Sequence, residues 1–142
     1  MGLTARNCEK EEELMLETGI RGHKELTVTD DKTAAALGSG GLPVFATPAL
    51  IAMAERTARE SVADELAEGQ STVGIKVDIS HLSSTPVGVQ VWCDTELKEI
   101  DRRRLVFSVE VHDRFGKIAE GMHERFIIDD EKFMKKANEK LL

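Results

Sequence analysis

The sequence predicts an α+β fold in which an antiparallel β-sheet wraps around one long central helix. Three observations carry that expectation. A single stretch, from Thr47 to about Ala67, has the length and the apolar stripe of a core helix. After Gly69 the hydrophobic period drops from 3.6 to 2 and stays there through three or four strands. Those strands need their apolar face covered, and no other element is long and apolar enough to cover it.

Taken in order, residues 1–14 are polar and acidic and read as an N-terminal extension, frayed or a short helix, ahead of a domain spanning 15–142. Met15 stands as an alternative start. "GHKELTVT", Gly22 to Thr29, alternates weakly and reads as a first strand. "DDKTAAALGSGGLP" follows as a connector whose glycines at 38, 40 and 41 give backbone freedom and mobility. Thr47-Pro48 opens the main helix, with Thr as N-cap and Pro at the first helical position, where φ is preset and no donor is missed. Gly69 is the expected stop. Leu50, Met53, Ala54, Thr57, Ser61, Val62 and Leu66 form the stripe, and the first half is apolar nearly all round, as a helix inside a curled sheet should be.

Val73, Ile75, Val77 and Ile79 then share one strand face, with Thr72, Lys76 and Asp78 opposite and His81 next in the apolar phase. Val87, Val89, Val91, Cys93 and Leu97 repeat the pattern after Pro86-Val87-Gly88, and Leu105, Phe107, Val109 and Val111 make a third face. Asp113 to Gly116 is a turn, residues 117–128 a last strand, and a C-terminal helix starts near Asp130. Strand, long helix and antiparallel meander in that order is the hot-dog arrangement.

Composition sets the outer limits. A chain of 142 residues, 41% hydrophobic and 32% charged, is one soluble domain with its own core. Its net charge of −7, with one Trp and no Tyr, argues against nucleic acid as a partner. No apolar run reaches the ~18 residues of a membrane span, and the N-terminus lacks a signal-peptide core, so a cytoplasmic protein is expected. Cys8 and Cys93 are far apart and suit a reducing compartment.

Three polar residues stand where the pattern asks for burial or a terminus. Thr47 is a helix cap on the plainer reading; on the functional one its hydroxyl lies among free N–H groups able to stabilise an oxyanion. Glu55 interrupts an apolar run, so it either reaches water at the helix edge, pairs with Arg59 at i+4, or is a buried acid with a partner or a raised pKa. His81 is a structural core histidine or, together with Glu55, half of an acid–base pair in one cavity. Thr47 and Glu55 are eight residues apart, ~12 Å along a straight helix, so a substrate spanning the gap or a residue donated across a dimer interface fits better than direct contact.

Other signals are weaker. His112 and His123 have no HxxxH or CxxC spacing, so no metal is assigned. Ser83 and Ser84 lie in no GxSxG elbow, and Cys93 falls mid-strand in the core phase, where an inert thiol is expected. "DRRR" at 101–104 reads as a solvated hairpin turn, with a phosphate-binding patch as the alternative.

"VFATPALIAMAE", "STVGIKVDISHLSSTPVG" and "GMHERF", in that order, resemble the hot-dog thioesterases of the fluoroacetyl-CoA thioesterase-like family over roughly residues 15–136. The resemblance implies that Thr47, Glu55 and His81 are the catalytic set, Glu55 as nucleophile or as general base toward water. It further implies a backbone contact at Gly74, Arg125 of the HER motif in the active site, and homodimers with sites at the subunit interface, with a dimer of dimers as a further possibility. Gly41 and Gly38 stand where the fluoroacetyl-specific branch has gating phenylalanines, so Gly41 borders a more open entrance and the acyl group is unspecified. The expectation is an acyl-CoA thioesterase releasing a small carboxylate and free CoA, with no cofactor beyond the coenzyme A of its substrate. A hot-dog acyl-CoA hydratase or dehydratase and a non-catalytic acyl-CoA-binding module are the alternatives; release of free thiol separates both from hydrolysis.

Overall fold

In the computed structural model, residues 16–141 are described; the expected N-terminal extension, Met15 and Cys8 lie outside them. Five strands form one antiparallel sheet: β1 (Arg21–Thr27), β2 (Gln70–His81), β3 (Gln90–Asp101), β4 (Arg104–Asp113) and β5 (Gly116–Asp129), in the order β1-β3-β4-β5-β2. Three helices accompany them: α1 (Ala34–Leu37), the long α2 (Thr47–Val62) and α3 (Asp130–Asn138). The expected elements are all there, with boundaries shifted by a few residues.

α2 lies on one face of the sheet, and the stripe of Leu50, Met53, Ala54, Thr57, Ala58 and Val62 is buried beneath it. Fully burying a Leu, Met or Val stabilises the fold by about 1.5–3 kcal/mol each, so this seam dominates helix docking. Thr57 is tolerated in the seam because its hydroxyl donates to the Met53 carbonyl at 2.7 Å. From the sheet, Val91, Cys93, Leu97, Leu105, Phe107, Val109 and Val111 complete the core.

Four expectations are corrected. The helix ends at Val62 and continues as a 3₁₀ turn (Ala63–Glu65), so Leu66 falls beyond it. Its first half is not enclosed all round: Ala52 is exposed and Ala49 and Ile51 are half-buried, because the sheet covers only one side. The N-cap is Ala46, not Thr47, and no side chain caps this end; Thr47 is the first helical residue. The connector is not a free loop. It folds as a 3₁₀ turn and α1, and is fastened by Ala34 N–H to Val44 O, Ala46 N–H to Lys32 O and Phe45 N–H to Thr85 O at 2.8–2.9 Å.

A fifth correction concerns β2. Its pairing with β5 runs Gly74↔Arg125 and then Lys76↔Glu124, which leaves Ile75 as an extra residue in a bulge. One extra residue inverts the alternation, so Val73 does not share a face with Val77 and Ile79. Thr72 and Gly74 lie on the helix side instead, paired with Ile127 and Arg125. Ile75 is 51% exposed. β2 is also an edge, paired only with β5 among the described strands.

Candidate active site

The sequence-predicted residues fall into two groups in one chain. At the N-terminal end of α2, Thr47 Oγ1 lies 2.8 Å from His81 Nδ1. The hydroxyl is free for this because, as a first-turn residue and not a cap, it is not occupied by the helix backbone. His81 arrives from the last position of β2, opposite Ala119 of β5. Burial holds its pKa below the ordinary histidine value, so the ring is neutral at pH 7. Its Nε2 is buried and has no hydrogen-bond partner among the described residues. Beside the pair opens a cleft of about 290 Å³ whose walls include Ser39, Phe45, Ser83 and Ser84. No side chain caps this helix end, and Pro48 has no N–H, so Thr47 and Ala49 carry its first-turn N–H groups.

Two turns along α2, Glu55 forms the second group. Its side chain is 40% exposed and pairs with the 5%-exposed guanidinium of Arg125, Oε2 to Nη1 at 3.6 Å. It is therefore a carboxylate at the helix edge with a buried cationic partner. Arg59, the i+4 candidate, turns to Glu60 instead, at 3.8 Å. Gly74 makes the approach of Glu55 possible: a Cβ there would stand 2.7 Å from Oε2 of Glu55. An open groove of about 320 Å³ between Ala52, Glu55, Arg56, Arg59 and Arg125 leads to the carboxylate.

Arg125 is aimed by its surroundings. Nε donates to Thr72 Oγ1 and Nη2 to the Thr72 carbonyl, both at 2.8 Å, and Nη1 reaches His123 Nε2 at 3.2 Å. Burial lowers its pKa from the usual guanidinium value and Glu55 offsets part of that effect; it remains charged. The bulge in β2 is what brings Thr72 and Gly74 to this face. Gly74 and Arg125 thus sit with Glu55, whereas Gly41 is exposed, with no heavy atom within 4 Å of its missing Cβ.

Sequence reasoning missed His123 and Thr72. His123 had been weighed only as a metal ligand. The available signal was its i, i+2 spacing to Arg125, which on a strand puts both on one face. Cys93 behaves as expected: it is buried and its thiol is pushed up to about 11 by burial. In "DRRR", Arg103 pairs with Asp129 at 3.6 Å and Arg104 with Glu124 at 2.8 Å, so both are engaged with β5.

The chain has relatives among proteins of known sequence and structure. The model of the fluoroacetyl-CoA-specific thioesterase family matches residues 28–131. The fluoroacetyl-CoA thioesterase of Streptantibioticus cattleyicolor is 34% identical over 97 residues, covering 68% of this chain and 70% of that protein. Among solved structures, the fluoroacetyl-CoA thioesterase FlK superposes with a TM-score of 0.84 at 30% identity, covering 89% of this chain and 98% of that one. A thioesterase superfamily member from Thermus thermophilus, 24% identical, covers 89% of this chain and 96% of its own with a TM-score of 0.81, a likeness of fold alone.

Proposed function

The chain belongs to the fluoroacetyl-CoA-specific thioesterase family and is an acyl-CoA thioesterase with a hot-dog fold, and we propose that Glu55, Thr47 and His81 carry its hydrolysis of a small acyl thioester. The observation that carries this reading is the placement of Glu55. It is a carboxyl group at the mouth of a groove, paired with the buried Arg125 and admitted by the missing side chain of Gly74. Such a group acts on a thioester carbonyl carbon directly or through a water that it deprotonates. On the water route the C–S bond breaks as the proton taken up by Glu55 passes through the neutral His81, bonded to Thr47, to the departing thiolate; on the direct route a water then hydrolyses the acyl–Glu55 anhydride and supplies that proton. The Thr47 hydroxyl and the uncapped N–H groups of α2 supply donors for the oxygen on which charge builds.

One helix cannot bring both groups to one carbonyl. Thr47 and Glu55 are ~12 Å apart along α2, whereas reacting atoms must meet at ~3–3.5 Å. A homodimer, each site taking Thr47 and His81 from one chain and Glu55 from the other, removes the conflict. The edge strand β2 favours it, since its free backbone groups and the exposed Ile75 and Val77 are suited to antiparallel pairing with a second copy. The acyl group is small on this reading, and the entrance is open at Gly38 and Gly41, where no neighbour lies within 4 Å of a Cβ position.

The test is thiol release from a panel of short acyl-CoA esters. Glu55→Gln is expected to lower kcat by about 10²–10⁴-fold with the fold intact. Co-refolding equal amounts of Glu55→Gln and His81→Ala is expected to restore about a quarter of wild-type activity, because half the dimers are mixed and each has one intact site. Wild-type turnover by Glu55→Gln removes the carboxylate from the mechanism; no restoration in the mixture removes the shared site.

A further inference from the structure

His123 is a polar residue on the apolar side of β5. It is fully buried, faces Val77 across β2 and Phe107 across β4, and its ring lies 6.4 Å from that of Phe107 at an interplanar angle of 28°. A leucine would fill this place without any polar group to satisfy. The histidine is instead satisfied at both nitrogens by atoms with one role each. Nδ1 lies 2.8 Å from the Lys76 carbonyl, which only accepts, so Nδ1 carries the hydrogen. Nε2 lies 3.2 Å from Arg125 Nη1, which only donates, so Nε2 offers its lone pair. The partners thus fix one tautomer of a neutral ring.

The consequence falls on Arg125. The guanidinium is planar and carries its donors in a rigid fork. Thr72 takes Nε and Nη2, and His123 takes one hydrogen of Nη1. Nη1 thus bonds His123 and at the same time forms the ion pair with Glu55 Oε2, 3.6 Å away. The Lys76 carbonyl that anchors the ring sits just beyond the bulge at Ile75, so the irregularity of β2 is connected through His123 and Arg125 to the carboxylate.

We propose that His123 is a positioning residue of the thioesterase reaction: by accepting from Nη1 it aims Arg125, and through Arg125 it sets where the Glu55 carboxylate stands. This inference rests on the reading of Glu55 as the site carboxylate.

Three substitutions in the full-length protein separate the two ring nitrogens. His123→Phe keeps the stack on Phe107 and loses both bonds. His123→Asn keeps a donor near the Nδ1 position, and His123→Gln an acceptor near the Nε2 position. Thiol release from acetyl-CoA is expected to fall about tenfold or more in kcat for Phe and Asn, with KM changed less than about threefold, and Gln should recover most of the loss. In an Arg125→Met background, His123→Phe should cost nothing further, because its effect passes through the arginine. Equal losses in all three variants, additive losses with Arg125→Met, or a Phe variant with wild-type kcat would each overturn the proposal. Asn and Gln carry the same amide, so their contrast decides the matter even where Phe lowers the melting temperature. Activity in Glu55→Gln would refute the underlying reading and this one with it. A dead Glu55→Gln beside a wild-type His123→Phe refutes only the role of His123.

Discussion

Replacing Gly74 by Ala is expected to abolish most turnover while leaving the fold in place. A Cβ on Gly74 would stand 2.7 Å from Glu55 Oε2, 3.3 Å from His123 Cε1 and 3.4 Å from Arg125 Nη1. Shifts of a few tenths of an ångström absorb the last two. The first requires the carboxylate to withdraw by roughly 0.8 Å to reach an ordinary contact of about 3.5 Å. Glu55 ends a flexible, 40%-exposed side chain, so withdrawal is easy, and Ala is otherwise favoured over Gly in a strand by about 0.5–1 kcal/mol. The melting temperature should therefore stay within about 4 °C of wild type. Chemistry is less tolerant, since a misplacement near 1 Å costs about a hundredfold, or about 2.7 kcal/mol of barrier. Thiol release from acetyl-CoA at saturation is the assay for kcat, with thermal unfolding in parallel. Gly121→Ala is the contrast, because its Cβ would lie 2.0 Å from the Asp78 carbonyl oxygen and 2.7 Å from the Ile79 Cα. Backbone atoms cannot swing aside, so that variant should lose stability by about 1–3 kcal/mol. Gly74→Ala with kcat within threefold of wild type would refute the reasoning, as would a melting loss equal to that of Gly121→Ala.

Two further outcomes are expected. His23 bonds Asp94 at 2.6 Å and Glu25 at 3.1 Å, and these bonds raise its pKa above the ordinary value. A histidine with a raised folded-state pKa stabilises fully below the unfolded value of about 6.5 and loses that contribution as pH rises through the folded one. The melting temperature of wild type should thus exceed that of His23→Gln at about pH 5.5 and converge with it in alkaline buffer; a constant difference would mean that the charge is not involved. Gly41→Phe should fold normally, since nothing lies within 4 Å of its Cβ position, and should lower kcat/KM for bulkier acyl-CoA esters by about tenfold relative to acetyl-CoA. An unchanged preference across the panel would show that this position does not border the entrance.

The architecture was legible because periodicity reports burial, and burial here follows a single helix on a single sheet. Leu105, Phe107, Val109 and Val111 alternate without a break and are all buried. The same rule failed at β2 for a definite reason. "TVGIKV" reads as uninterrupted alternation, and a bulge adds a residue without changing the letters; only the pairing with β5 shows that Ile75 is the extra one. Thr47 was misread as a cap because Thr before Pro suits both the cap and the first turn. The structure gives the cap to Ala46, and the hydroxyl is thereby released to His81. Glu55 was visible as an anomaly, but its partner was not, since Arg125 is 70 positions away and reaches it through a different element.

The failures at β2 and at Glu55 share a cause, the bulge at Ile75. A regular β2 would place Thr72 on the outer face and a side chain where Gly74 now leaves room. Arg125 would then lose two acceptors and stand as a buried charge with only His123 and Glu55 to answer it, a state that costs several kcal/mol. The bulge reverses this. It brings the Thr72 hydroxyl and carbonyl to the guanidinium, brings a glycine to the carboxylate, and leaves the Lys76 carbonyl to fix the His123 ring. An arginine so satisfied can remain buried and still pair with Glu55 at the edge of the helix. Local irregularity in the sheet is thus the physical reason why this carboxylate meets a buried arginine.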